Sequence, residues 1–243
     1  MKDLINKNVV GIKVITNYAC NRRCKFCYQQ RFDSMELHRV ILGDRLREIK
    51  EHFYPVFITF QGGETTLISN WWDYMYVTSQ VFPHSRQSLT TNGTAPLDEY
   101  KEAHKYGLSN ITFSINSAED KTLDKIIELS QMGCYTTHIN TVVDYDNLDN
   151  FKELFDVAKA YNINFNACSN VLQEDPHAFY AVSKLINPDD WDKPLPHVTR
   201  FYKDGYSFWL HMYAPSGYNQ IYVLPNGDYS IENKDVVEGK GAY

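Results

Sequence analysis

The chain has 243 residues, of which 43% are hydrophobic, so its length and composition fit one large domain with a sizeable core. Its net charge is −6 with acids and bases mixed along the sequence, which argues against a general nucleic-acid or membrane-surface binder. No stretch approaches the ~18 consecutive apolar residues of a membrane span, and the N-terminus does not resemble a secretory signal, so we expect a cytoplasmic protein.

Short β-rich runs alternate with segments of helical spacing through the first 170 residues. Strands are predicted at 9–16, 56–64, 87–93, 110–116, 137–143 and 163–170. Helices are predicted between them at 34–53, 71–82, 97–106, 120–132 and 148–161. This succession predicts an α/β fold with a parallel sheet and right-handed crossovers. Because a complete eight-unit barrel takes ~250 residues, we predict a partial (β/α)6 barrel over residues 1–187.

The pattern changes after Pro188, where several prolines interrupt any period. The stretches "SFWLHMY" (207–213) and "NQIYVLPNGDYSIE" (219–232) are typical of antiparallel strands. Asn226-Gly227 lies between alternating runs and predicts a hairpin turn. We therefore predict a small, β-rich C-terminal appendage over residues 188–243.

Three of the five cysteines, Cys20, Cys24 and Cys27, lie within eight residues of one another. In a reducing compartment, clustered thiolates more often hold zinc or an iron–sulfur cluster than form disulfides. A structural zinc ion would need a distant fourth ligand such as His38, Cys134 or Cys168. A cubane cluster on three cysteines instead leaves one iron open to a small molecule.

The CxxxCxxC spacing followed by an aromatic residue, here Tyr28, resembles the signature of the radical S-adenosylmethionine (radical SAM) superfamily. The resemblance implies that Cys20, Cys24 and Cys27 hold one 4Fe–4S cluster whose open iron binds SAM. One electron would then cleave SAM to methionine and a 5′-deoxyadenosyl radical, which abstracts a substrate hydrogen. The backbone of Tyr28 would lie near the adenine.

The stretch "QGGET" (61–65) is similar to the glycine-glycine-glutamate motif of that superfamily. The resemblance implies that Gly62 and Gly63 let the chain approach the SAM ammonium, and that Glu64 offers it a carboxylate. The stretch "TTNG" (90–93) resembles a third-strand motif of the branch with molybdopterin-precursor synthases and peptide-modifying enzymes, which assigns Thr91 and Asn92 to the SAM site. A plain turn after the strand is the alternative.

Three later polar residues, Ser114, Asn116 and Asn140, fall where relatives contact SAM or substrate. Their alternative is a polar residue satisfied at a strand end. Two features depart from the pattern: Thr65 replaces the common proline, and no arginine follows the fourth strand. Residues 169–243 contain no cysteine, which excludes a second cysteine-bound cluster in that part of the chain.

Two features beyond the motif residues remain open. Cys168, near the end of the sixth strand, is either a packing residue or a hydrogen-atom donor to a substrate radical. The basic side chains Arg22, Arg23, Lys25 and Arg31 either offset the anionic thiolates or dock an acidic electron donor such as flavodoxin or ferredoxin.

We therefore predict a radical SAM enzyme, an oxidoreductase or transferase, that modifies a peptide or protein side chain. Alternatives are a nucleoside or other small-metabolite substrate, activation of a glycyl-radical partner, and a non-catalytic metal-binding module.

Overall fold

A computed structural model describes residues 11–27, 33–169, 177–195, 198–212 and 220–230. Within these ranges no helix is long and apolar enough to cross a membrane. Tyr28, assigned above to the SAM site, and Arg31 of the basic cluster lie outside the described residues.

Strands and helices alternate along the chain, which confirms the predicted α/β class. The strands are β1 (Gly11–Ile15), β2 (Phe57–Gln61), β3 (Arg86–Thr91), β4 (Leu108–Ser114), β5 (Thr136–Val142), β6 (Asn164–Cys168), β7 (Asp190–Leu195), β8 (Val198–Lys203), β9 (Tyr206–His211), β10 (Gln220–Val223) and β11 (Tyr229–Ser230). The helices are α1 (Arg39–Lys50), α2 (Asp73–Val81), α3 (Leu97–His104), α4 (Leu123–Gln131), α5 (Leu148–Ala160) and α6 (Ala178–Ile186).

The chain divides into two compact units and passes from the first to the second within β4, between Ile111 and Thr112. In the first unit the strand order is β11-β10-β1-β2-β3, followed by the start of β4. Strand β1 pairs in parallel with both β10 and β2, β2 pairs in parallel with β3, and β11 pairs antiparallel with β10. The turn between β10 and β11 contains Gly227 at φ 84°.

One face of the first unit's sheet packs against α2 through side chains that alternate along each strand. The rings of Phe60 and Tyr74 lie 6.4 Å apart, and Gln87 donates to the backbone oxygen of Met75. Ile12, Val14, Ile58 and Leu89 follow the same alternation and are fully buried. The period of two thus gives this face the apolar core and leaves Lys13, Thr59 and Ser88 on the other face.

The second unit has the strand order β5-β6-β9-β8-β7 after the end of β4. Strands β5, β6 and β9 run parallel, whereas β8 pairs antiparallel with β9 and β7 with β8. Its core is aromatic: Phe155 of α5 makes edge contacts with Phe165 and Phe208, and Phe201 stacks on Phe208 at 5.2 Å. Aromatic pairs of this kind stabilise a core beyond their buried area.

The prediction fails most clearly for α6, β7 and β8, none of which was predicted. Helix α6 buries Ala178, Val182 and Ile186, and the residue that follows it, Asn187, adopts a left-handed conformation before Pro188. Strand β7 tolerates Pro194 because it is an edge strand, where one missing N–H breaks no ladder.

The predicted appendage contributes to both units. Strands β7, β8 and β9 lie in the second unit, and β10 and β11 lie in the first. Parallel pairing of β10 with β1 and of β9 with β6 is a long-range feature that local patterns do not encode.

Candidate active site

The cysteine loop begins five residues after β1 ends. Cys20 and Cys27 are half-buried and Cys24 is exposed, and a turn forms where the Cys27 N–H donates to the Cys24 oxygen at 3.0 Å. The Arg22 N–H donates to the Cys20 sulfur at 3.4 Å. No three His, Cys, Asp or Glu side chains of the described residues surround a single metal ion. Thiolates hold iron–sulfur clusters, whereas a structural zinc ion usually takes four ligands, so three cysteines in one loop fit a cluster better than one zinc ion.

Gly62 and Gly63 pack directly against the backbone that leads into the cysteine loop. A Cβ on Gly62 would lie 2.6 Å from the Asn17 oxygen, and one on Gly63 would lie 2.5 Å from the Tyr18 oxygen. Two hydrogen bonds hold the segments together, from Gly63 N–H to Asn17 (2.9 Å) and from Glu64 N–H to Ala19 (2.7 Å). Glycine is required here because the two backbones leave no room for a side chain.

Glu64 is only 2% exposed, and its carboxylate is bonded by donors of this chain. One oxygen accepts from the Thr66 N–H (3.1 Å) and from the hydroxyls of Thr66 and Thr91 (both 2.8 Å). The other accepts from the Asn92 N–H at 2.6 Å. Four donors are about what one carboxylate can accept, so Glu64 joins the loops after β2 and β3.

Asn92 continues this network to the cysteine loop. Its amide nitrogen donates to the Asn21 side chain at 2.8 Å and lies 4.0 Å from the Cys20 sulfur. Its amide oxygen accepts from the N–H and hydroxyl of Thr94. The first unit therefore brings together Cys20, Gly62, Gly63, Glu64, Thr91 and Asn92, all of which were predicted from the motifs.

Two further pairs in this network were not predicted. The hydroxyls of Thr16 and Thr65, both buried, lie 2.9 Å apart, so the residue that replaces the common proline has a buried partner. The Asn17 side chain donates to the Glu64 backbone oxygen at 2.9 Å. Thr16 and Asn17 could have been predicted as site residues, because they are polar and directly follow the apolar strand β1.

The second unit holds the remaining candidates. The Asn116 oxygen accepts from the Val142 N–H (2.8 Å) and from the Thr141 hydroxyl (3.2 Å), so it anchors the end of β5. The Cys168 thiol donates to the Asn140 side-chain oxygen at 3.1 Å. Burial raises the pKa of Cys168 to about 11, so the thiol stays protonated at neutral pH. Ser114 is half-buried at the end of β4.

Comparison with known proteins places this site in context. Residues 14–133 match the family model described as the Radical SAM superfamily. A curated protein from Thermoplasma volcanium, described as a probable GTP 3′,8-cyclase, is 27% identical over 179 residues. The match covers 65% of this chain and 53% of that protein, so this chain spans about half the length of its curated relative.

Two solved structures share the fold at low identity. Streptococcus suis SuiB, crystallised with its precursor peptide SuiA, matches 97% of this chain and 62% of its own, at 14% identity and a TM-score of 0.68. The protein anSMEcpe, with bound AdoMet and a peptide, matches 66% of this chain and 51% of its own, at 16% identity and a TM-score of 0.54. These likenesses show a mixed α/β fold whose parallel sheet resembles the radical SAM partial barrel.

Proposed function

We propose that this chain is a radical SAM enzyme that cleaves SAM reductively at one 4Fe–4S cluster held by Cys20, Cys24 and Cys27. When bound, the cluster and SAM supply a 5′-deoxyadenosyl radical that takes a hydrogen atom from the substrate. The observation that carries the proposal is the bonded network that joins the cysteine loop to the loops after β2 and β3.

The first unit's residues hold and orient the cofactors. The Arg22 N–H and the Asn92 amide point donors toward the Cys20 sulfur, and such donors tune a cluster by stabilising charge on its ligands. Gly62 and Gly63 fix the β2 loop beside the cysteines. The backbone groups of this loop and of Tyr28, Thr91 and Asn92 would face SAM. Because its carboxylate is fully bonded, Glu64 acts mainly by holding these loops in place.

In the second unit, Ser114, Asn116 and Asn140 are proposed as further SAM or substrate contacts. Cys168 is proposed as the hydrogen donor that ends the reaction. Its S–H bond would break as a substrate C–H bond forms, leaving a thiyl radical. One electron from the same donor that reduces the cluster, together with a proton from water, would restore the thiol.

The proposed substrate is a peptide or protein side chain. The motif "TTNG" and the fold shared with SuiB and anSMEcpe, both crystallised with peptides, support this proposal. The curated relative described as a GTP 3′,8-cyclase supports a small metabolite as the second candidate. The domain match and the enzyme relative are evidence against the non-catalytic alternative.

The experiment that tests the proposal is anaerobic turnover with SAM and dithionite after reconstitution with iron and sulfide. We expect about four irons per chain and the release of 5′-deoxyadenosine, measured by mass spectrometry. A Cys24→Ala variant should lose both. A protein that holds its irons and sulfide but releases no 5′-deoxyadenosine with candidate peptides would contradict the proposed reaction. One zinc without sulfide would contradict the cluster itself.

The electron donor is proposed to be an acidic protein such as flavodoxin or ferredoxin. Lys25 is exposed on the cysteine loop and Arg22 is half-buried there. Replacing both by Glu should slow flavodoxin-driven release of 5′-deoxyadenosine about tenfold or more at low salt, because like charges suppress encounter. Dithionite-driven release reports any damage to the loop itself. Equal flavodoxin rates in both proteins would disprove docking at these residues.

A further inference from the structure

A row of polar side chains crosses the sheet of the first unit on the face opposite α2. Tyr222 of β10, Lys13 of β1, Thr59 of β2 and Ser88 of β3 lie directly opposite one another in register. We name Lys13, Thr59 and Ser88 the Lys13 row. The row lies two residues before the ends of β1 and β2, and the cysteine loop follows β1. Barrel enzymes place their substrates near these carboxyl ends of the strands.

The polar groups of the Lys13 row lack hydrogen-bonding partners among the described residues. All three residues are half-buried, yet none makes a side-chain hydrogen bond or ion pair within the described part of the chain. The Lys13 ammonium lies over the Tyr222 ring, 5.7 Å from the ring centroid. Burial lowers the pKa of Lys13 because it removes water from around the ammonium group. A half-buried cation without an anion is costly, and it indicates a ligand that supplies one.

An unpartnered acceptor lies on the same face, one row toward the start of the strands. Gln220 pairs in register with Gly11 and is 6% exposed, and its side-chain oxygen has no hydrogen-bond partner in the ranges that the structure describes. Buried polar groups are nearly always bonded, so an orphaned oxygen needs an explanation. The face thus offers donors at the Lys13 row and an acceptor at Gln220, two residues apart along the neighbouring strands.

We propose that the Lys13 row binds a carboxylate of the substrate while Gln220 accepts from an N–H of the same molecule. The proposal rests on the proposed function, in which the substrate is a peptide and carries both groups. The Lys13 row contains one cation, which balances a carboxylate. A phosphate carries close to two charges and would call for a second cation in the row.

The test follows the ε-carbon resonances of lysine in protein labelled with 13C-lysine, with the Lys13 resonance assigned by its absence in Lys13→Met. The probe is N-acetylglycine, which has a carboxylate and an amide N–H. Its uncharged control is N-acetylglycinamide. Lys105, an exposed lysine paired with Glu102, reports non-specific effects in the same sample.

We expect N-acetylglycine to move the Lys13 resonance saturably and to leave that of Lys105 in place. N-acetylglycinamide should move neither. Ser88→Ala and Thr59→Val should each weaken the affinity for N-acetylglycine several-fold, by roughly the net worth of one hydrogen bond to a charged group. These substitutions keep Lys13, so its resonance still reports binding.

Three results would overturn the proposal. One is a Lys13 resonance that does not move, or that moves only as much as that of Lys105. Another is tighter binding of inorganic phosphate than of N-acetylglycine. The third is competition in which SAM displaces N-acetylglycine, which would assign the carboxylate to SAM. Because no SAM cleavage is needed, this result and that of the 5′-deoxyadenosine assay are independent.

Discussion

Glu64 is a buried carboxylate that accepts four hydrogen bonds and pairs with no Lys or Arg of the described residues. The motif assigns Glu64 to the SAM ammonium, whereas its hydrogen bonds connect the loop after β2 to the loop after β3. Both roles need a carboxylate, but only the connection between the loops contributes to the stability of the protein before any cofactor binds.

The first residue-level prediction follows from this difference. Glu64→Gln replaces one acceptor oxygen by an NH2 group, which must then face a donor such as the Asn92 N–H. We expect the protein without cofactors to lose roughly 1–3 kcal/mol of stability, the cost of a buried donor left unbonded. Urea unfolding followed by circular dichroism measures the change, and hydrogen exchange at Thr66 and Asn92 should rise.

The matched control is Glu119→Gln, since Glu119 is exposed. Surface substitutions of this kind change stability by no more than about 0.5 kcal/mol. If Glu64→Gln is as stable as this control without cofactors and only weakens SAM binding, Glu64 is a SAM ligand and does not hold the two loops together.

The second residue-level prediction concerns Cys168. The thiolate is the form that reacts with iodoacetamide, and burial raises the pKa of this thiol to about 11. At pH 8 its thiolate fraction should be on the order of a hundredfold below that of an ordinary thiol, so alkylation should be correspondingly slow. Peptide mass spectrometry during alkylation measures the rate, with free cysteine as the reference. A rate close to that of free cysteine would contradict the assignment of a protonated thiol.

At the scale of elements, the loops after β1 and β2 behave as one structure, because their backbones are in contact. Gly63→Ala adds a methyl group where the Tyr18 oxygen already lies within 2.5 Å, so the loops must separate. We expect this variant to lose most of its iron after reconstitution and to unfold at a lower urea concentration. Iron and sulfide analysis measures the first effect.

Gly43→Ala is the control for added volume at a glycine. Gly43 lies inside α1, and a new Cβ would meet the Val77 side chain at 3.4 Å, an ordinary contact. Alanine favours a helix interior by about 1 kcal/mol over glycine, so this variant should be as stable as the parent or more so. Full iron loading in Gly63→Ala would show that the contact between the loops is dispensable.

At the scale of the whole molecule, alkaline pH should lower the stability of the fold because several tyrosine side chains are buried. Burial raises the pKa of Tyr222 to about 12 and raises that of Tyr74, Tyr100, Tyr206 and Tyr229 further. In the unfolded chain each phenol ionises near pH 10, so above that pH the unfolded state binds fewer protons than the folded state. The stability present below pH 10 should therefore fall as the pH rises.

The lowered pKa of Lys13 has the opposite effect and makes the stability rise with pH, but it is one group against the five tyrosines. Urea unfolding midpoints between pH 9 and pH 11 measure the balance. Part of the phenolate absorbance at 295 nm should appear only together with the loss of circular dichroism. Complete phenolate formation in a still folded protein would contradict the burial of these tyrosines.

What could be predicted from the sequence was local. The spacing of Cys20, Cys24 and Cys27 and the glycines of the β2 loop indicate the radical SAM domain, because short motifs carry their chemistry in a few neighbouring residues. Strands β1 to β6 and helices α1 to α5 were predicted because their apolar periodicity is strong. Helix α6 and strands β7 and β8 were not predicted, because the prolines in this part of the sequence leave no clear apolar periodicity.

The sequence by itself determined the α/β class, the cysteine loop and the glycine turn. Only the tertiary structure decided which groups meet across strands: the donors of Glu64, the pairing of β10 with β1, and the Lys13 row. These contacts depend on strand register between segments far apart in the chain. A shift of one residue would turn every side chain to the opposite face, and no local pattern encodes that choice.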